Sequence, residues 1–195
     1  MWTNLDPAEV QAIQELDTVS DRAAAIVGAT IVESRVLKLL QTKLVDLTVK
    51  SGLTLHKRMF DNTGPLGSFS ARINLGFMCK LFDESVWRDL NVIRGIRNDF
   101  AHVTAMGSFD EPSVAARCAN LKACDRYFRA HKAGDPLLML DEDAKPPEFT
   151  FYAPDLDDRL KDARQRYLLC IRYYATFLTY LVAPVLVPHF DAPHI

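Results

Sequence analysis

Apolar residues recur every three or four positions along most of this chain, a period typical of amphipathic helices. Near the amino terminus, Asp6 stands as an N-cap before Pro7, which predicts a helix from residue 7 to about 19. A second apolar run predicts a long central helix from residue 21 to about 50, buried in its first half. Alternating patterns typical of strands are scarce, so the pattern favours an all-α protein.

Turn-forming residues and helix caps divide the remaining chain into further helices. The loop at 61–67 contains Asp, Asn, Gly and Pro, and a third helix is predicted from residue 68 to about 82, with Ser68 as its N-cap. Asp83 is the predicted cap of a fourth helix, which extends to about residue 102. Asp110 is expected to start a fifth helix that ends near residue 131, and Asp155 a last long helix that ends before Pro184.

These elements predict an all-α, single-domain bundle of five to six helices over residues 1–195. The helical core is expected at 6–131 and 155–183. Residues 132–154, rich in proline and acidic side chains, are expected to form an extended excursion with a short strand at 148–152. A Pro-rich tail is expected at 184–195.

The composition argues against two kinds of protein, a duplex-DNA binder and a membrane-spanning protein. With 49% hydrophobic and 25% charged residues, the chain has an ordinary globular composition, and its net charge of -2 argues against direct binding of duplex DNA. The apolar stretch 167–187 contains Arg172 and Pro184, so it predicts a buried helix and not a membrane span. Because the amino terminus does not resemble a signal peptide, we expect a cytoplasmic protein.

Cysteine and histidine residues give no sign of a metal site. The four cysteines have no Cys-x-x-Cys spacing, and the five histidines are scattered along the chain. We therefore expect reduced core thiols, no metal and no cofactor.

The segment 97–102, Arg-Asn-Asp-Phe-Ala-His, is the leading candidate for chemistry. Each helical residue advances about 100°, so Arg94, Arg97, Asn98 and His102 lie outside the apolar stripe. These side chains suit metal-independent cleavage of RNA, with an imidazole as the base and a guanidinium on the phosphate. Because one histidine cannot be both base and independent acid, a symmetric dimer would have to supply the second one. The alternative is a solvated helix face.

Glu33 is a second anomaly, because it lies among apolar residues on the central helix. A buried carboxylate must be paired or neutralised, and the candidate partners are Arg22, Arg72 and Arg97. The pair would either lock the bundle or orient an arginine of a binding site. Glu33, Arg22, Arg72 and Arg94 are accordingly candidate binding residues.

Three segments in order resemble the mannitol operon repressor (MltR) family: 20–29 (SDRAAAIVGA), 64–73 (GPLGSFSARI) and 93–102 (IRGIRNDFAH). The similarity covers roughly residues 5 to 130 together with the last helix. It implies a cytoplasmic, all-helical bacterial regulator without an obvious DNA-reading motif.

The segment ending at His102 also resembles the motif of HEPN domains, whose ribonuclease members carry an Arg followed after four to six residues by a His. Arg97 and His102 match this spacing, and Asn98 matches the polar residue that commonly follows the Arg. This resemblance implies an up-and-down helical bundle that often dimerises.

Two functional hypotheses follow from the sequence. The first is a transcriptional regulator of the mannitol repressor type, which acts mainly through protein contacts and forms a homodimer. The second is a HEPN-type endoribonuclease in which His102 is the general acid and base, Arg97 holds the phosphate and Asn98 positions it. RNA is a partner only under the second hypothesis.

Overall fold

Helices form all the regular structure that this computed structural model shows for residues 7–44, 49–61, 63–102, 107–122, 125 and 156–182. This confirms the predicted all-α bundle. The helices are α1 (Pro7–Glu15), α2 (Asp21–Leu44), α3 (Lys50–Phe60), α4 (Phe69–Met78), α5 (Glu84–His102), α6 (Pro112–Cys118), α7 (Leu156–Arg159) and α8 (Ala163–Val182).

The centre of the bundle is the packing of α2 against α8. Gly28 permits their close approach, since a Cβ atom there would lie 3.1 Å from Cγ1 of Ile171. Helices α4 and α5 pack against α2 and against each other, while α6 packs against α5 and α8. Their inner faces form one continuous apolar core, which includes the fully buried Leu39, Leu40, Ile73, Leu90, Ile93, Phe100, Tyr167 and Tyr174.

Two helix starts follow the predicted capping chemistry. The Ser68 hydroxyl accepts a hydrogen bond from the Ala71 amide at 3.2 Å, and Asp83 Oδ1 accepts one from the Val86 amide at 2.9 Å. Each cap satisfies a backbone donor that the helix itself leaves unpaired.

Helix α3 is an element that the sequence pattern did not reveal. The predicted central helix ends at Leu44 instead of about residue 50, and α3 begins at Lys50. Phe60 is the one buried residue of α3, and most of the other side chains of this helix are exposed. The apolar residues Leu53, Met59 and Phe60 lie within about 120° of one another around the helix, so α3 has an apolar stripe. The helix was missed because the predicted central helix was extended past its end at Leu44.

Two predicted helices are interrupted in the structure. The fifth starts at Pro112 instead of Asp110, and it ends at Cys118 because the buried Asp89 carboxylate accepts the Lys122 amide at 2.9 and 3.0 Å. The last predicted helix is divided into α7 and α8, and Asp162 Oδ1 accepts the Gln165 amide at 2.7 Å to start α8. The predicted excursion 132–154, its strand at 148–152 and the tail 184–195 lie outside the described residues.

The long apolar helix α8 is a core element. No helix in the described ranges combines the length and the apolar character needed to cross a membrane. Arg172, which interrupts the apolar run, is buried and pairs with Asp17 at 2.6 Å. Asp17 is half exposed, so the charge of Arg172 is compensated by a carboxylate at the surface of the bundle.

The cysteines differ from the expectation of four reduced thiols. Cys79 and Cys118 are free, but Cys170 is disulfide-bonded to a partner outside the described residues. Spacing along the sequence does not report which cysteines become neighbours in space. Burial raises the pKa of Cys118 to about 12, so this thiol is protonated and unreactive at neutral pH.

Arg166 of α8 holds together the ends of three segments. Its guanidinium donates to the carbonyls of Cys118 at 2.8 Å, Leu121 at 2.6 Å and Leu160 at 3.2 Å, and pairs with Asp125 at 2.5 Å. The Cys118 carbonyl also accepts the Leu121 amide at 3.1 Å, and all three carbonyls lie beyond the regular hydrogen bonding of the helices.

The variant Arg166→Met tests the role of this side chain. We expect the free energy of unfolding to fall by about 3 kcal/mol, because buried carbonyls and the Asp125 carboxylate lose their donor. Urea unfolding followed by circular dichroism measures the change. The control Arg88→Met removes an exposed arginine and should change stability by less than about 0.5 kcal/mol. Equal losses in both variants would contradict the assignment.

Candidate functional site

Helix α5 carries the candidate catalytic residues beside its buried face. Ile93, Ile96 and Phe100 are buried, whereas Arg97 and Asn98 are half-buried and His102 is exposed at the last position of the helix. The three polar side chains are therefore not part of the apolar core.

Arg97 and Asn98 are joined directly. Nη1 of Arg97 donates to Oδ1 of Asn98 at 3.3 Å. Burial raises the pKa of Tyr167 on α8, and the positive charge of Arg97 acts in the opposite direction, which places this guanidinium near α8. Among the described residues, no hydrogen bond connects His102 to Arg97 or Asn98. The guanidinium and the amide thus form a hydrogen-bonded pair.

Arg94 lies one turn before Asn98 on the same helix. Its Nη2 donates to Oδ1 of Asn91 at 3.4 Å, and its buried Nε has no hydrogen-bond partner within the described part of the chain. Arg94 therefore retains donors that could bind an anion.

Arg117 of α6 belongs to this site and was missed from the sequence. It pairs with Asp99 of α5 at 2.8 Å and crosses Gly95, where a Cβ atom would lie 3.0 Å from its Nη1. A glycine in the middle of a helix costs about 1 kcal/mol relative to alanine and often has a packing reason. Gly95 was thus the available signal that another side chain crosses α5.

Glu33 and Arg72 form a separate site between α2 and α4. Nη1 of Arg72 lies 3.1 Å from Oε1 of Glu33, and both side chains are largely buried. Arg72 also donates to the carbonyls of Leu66 at 2.7 Å, Gly67 at 3.1 Å and Phe60 at 3.4 Å. With its donors directed at the loop after α3, this arginine supports the interpretation of an ion pair that locks the bundle.

Arg22 is too far along α2 to pair with Glu33. It is half-buried in the first turn of α2, eleven positions and about 16 Å along the helix from Glu33. Arg97, the third candidate partner of Glu33, instead contacts Asn98. The structure therefore brings together only Glu33 and Arg72 from the second set of candidates.

The α5–α6 face, defined as Arg94, Arg97, Asn98, His102 and Arg117, carries more positive than negative charge. Asp99 neutralises only Arg117. Two guanidinium groups and an amide can bind a phosphate or a carboxylate, and the imidazole can exchange a proton. No three His, Cys, Asp or Glu side chains cluster as metal ligands in the part of the chain that is described.

Comparison with solved structures shows a similarity of fold. No protein family and no curated protein matches the sequence. The fold is similar to a chain in the X-ray structure of the MtlR–HPr complex from Escherichia coli, with a TM-score of 0.54 and 17% sequence identity. The similarity covers 92% of this chain and 100% of that chain. The two chains share a fold, and membership of the mannitol operon repressor family stays a prediction.

The variant Glu33→Gln separates a structural from a functional role of the ion pair. We expect a loss of about 1–2 kcal/mol in the free energy of unfolding, because Arg72 loses its charged partner but keeps its three carbonyls. Chemical denaturation measures this change. Unchanged stability, with loss of partner or RNA binding, would show instead that Glu33 serves a binding site.

Proposed function

We propose that this protein is a cytoplasmic regulator that acts by binding another protein, and that HPr or a protein like it is the partner. The observation that carries this proposal is the fold similarity over 92% of the chain to a protein crystallised with HPr. The three segments that resemble the mannitol operon repressor family are consistent with it. The regulated process is then transcription of a sugar operon, and the working form is a homodimer.

The distribution of charge favours regulation through protein contacts over direct reading of DNA. A duplex-binding protein neutralises about six to ten phosphates with basic side chains. In the described residues, many arginines are instead paired with carboxylates of the same chain. These pairs are Arg35–Glu9, Arg72–Glu33, Arg117–Asp99, Arg164–Asp21, Arg166–Asp125 and Arg172–Asp17.

Isothermal titration of the purified protein with HPr from its own organism tests the proposal. We expect saturable heat with a Kd of micromolar order, corresponding to about -8 kcal/mol, as is typical of a transient regulatory contact. An unrelated acidic protein of similar size is the control. Absence of heat with both unphosphorylated and phosphorylated HPr would reject this partner. Sedimentation equilibrium of the purified protein without HPr tests the homodimer, because it compares the measured mass with the 22.0 kDa of one chain.

A HEPN-type endoribonuclease is the second candidate, and the geometry of α5 gives it one specific support. Asp99 pairs with Arg117 and Glu33 with Arg72, so neither carboxylate locks Arg97. His102 would take the proton of a ribose 2′-hydroxyl, whose oxygen attacks the phosphorus atom held by Arg97 and Asn98. The leaving 5′ oxygen would receive its proton from His102 of the second copy in a homodimer.

The variant His102→Ala tests the nuclease with mixed RNA in the presence of a chelator. If the nuclease proposal holds, the wild type cleaves RNA, and the variant loses at least about a hundredfold in rate because its general base is gone. His102 is exposed, so the fold should be retained. Arg88→Ala, an exposed change on the same helix, should cleave as the wild type does. Equal background cleavage by all three proteins would reject the nuclease.

A further inference from the structure

Exposed hydrophobic side chains are concentrated around the start of α3. Of the eight large hydrophobic residues exposed in the described part of the chain, four lie between positions 44 and 55. They are Leu44, Val49, Leu53 and Leu55, with exposed fractions of 43%, 45%, 53% and 49%. Of these four, Leu53 also lines a groove on α3, so it is the apolar side chain on which a binding region would centre.

Positive charge surrounds these apolar side chains. Helix α3 carries Lys50, Lys57 and Arg58, all exposed, and it contains no acidic residue. A groove of 540 Å³ lies along its outer side, and its lining includes one carboxylate, Asp61, just after the helix. The lining residues are Leu53, Thr54, Lys57, Arg58, Asp61 and Thr63.

The inner side of α3 is already occupied by the bundle. Phe60 is buried, Met59 packs against the core, and His56 stacks on Phe60 while its Nε2 lies 2.6 Å from Nε2 of Gln41. The groove and its cations therefore belong to the outward face, which is available to a second molecule.

We propose that the outward face of α3 formed by Lys50, Leu53, Thr54, Lys57 and Arg58, here called the α3 surface, docks a protein segment that combines acidic and leucine-like side chains. The inference rests on the proposed function, because it names the surface and the chemistry of the protein partner. Carboxylates would pair with Lys50, Lys57 and Arg58, and an apolar side chain would fill the groove beside Leu53. The positive charges would attract the acidic segment and speed its association, and burial of the apolar side chain would stabilise the complex.

A membrane and an RNA fit the α3 surface less well. Leu53 and Leu55 are about 200° apart around the helix, so they do not form one apolar face that could enter a bilayer. Single-stranded RNA is usually held by aromatic side chains that stack on bases. The aromatic residues of α3, His56 and Phe60, stack on each other instead.

Fluorescence anisotropy with a labelled peptide of about twelve alternating Glu and Leu residues tests this surface. The wild-type protein should bind it, and the double variant Lys57→Glu, Arg58→Glu should bind at least about tenfold more weakly. The matched control Arg88→Glu, Lys161→Glu makes the same change in net charge at exposed positions elsewhere and should bind as the wild type does. Peptides with Gln for Glu, or Ser for Leu, should bind weakly to every variant.

Three results would overturn the proposal. The first is equal weakening by the α3 variant and the matched control, which would indicate a general charge effect. The second is no binding of the peptide by the wild type. The third is binding of phosphatidylglycerol vesicles or RNA, but not of the peptide, through Lys57 and Arg58.

Titration of both double variants with HPr separates this inference from the proposed function. If HPr binds the wild type and the α3 variant equally, and the peptide does not bind, the α3 surface is rejected while the regulator stands. If the peptide binds through α3 but HPr does not bind, the surface is supported and HPr is rejected as the partner.

Discussion

Guanidinium groups that donate hydrogen bonds to backbone carbonyls at helix ends are the constraint on which this bundle depends. A helix leaves its last carbonyls without donors, and those near a core cannot all turn to water. Arg72 fills this role after α3, and Arg166 after α6. Arg164 does so after α1, where it donates to the carbonyls of Leu16 at 3.0 Å and Val19 at 2.7 Å. Each side chain also pairs with a carboxylate, so the charge that closes a helix end is itself compensated.

Because these arginines bind carbonyls and carboxylates of the same chain, only other cations are left to bind a partner. Arg72, which the sequence predicted to be a binding residue, instead donates hydrogen bonds to the loop that follows α3. That loop is tight, since a Cβ atom on Gly64 would lie 2.5 Å from the carbonyl oxygen of Arg58. The resemblance to the mannitol operon repressor family in segment 64–73 therefore includes residues with structural roles, among them the Ser68 cap. The α5–α6 face and the α3 surface both carry cations that are in no ion pair among the described residues, including Arg97, Lys57 and Arg58. Both are suited to acidic groups of a partner.

Local signals in the sequence predicted most of the fold and part of the candidate site. The Asp83 cap and the apolar stripe of α5 depend on neighbours within four residues, so helix and exposed face could both be derived. Helix α3 was missed because the predicted central helix was extended past its end at Leu44. Arg117 was missed because its partner Asp99 lies on another helix, and only Gly95 hinted at a crossing side chain.

By itself, the sequence determined the all-α class, the caps at Ser68 and Asp83, and the position of Arg97, Asn98 and His102 outside the core. These depend on helical periodicity and on hydrogen bonds between near neighbours. Only the tertiary structure decided that Glu33 pairs with Arg72, and that buried Asp89 accepts the Lys122 amide and the Tyr174 hydroxyl. Such pairs join residues more than thirty positions apart, because the packing of one helix on another selects the partner of each buried charge.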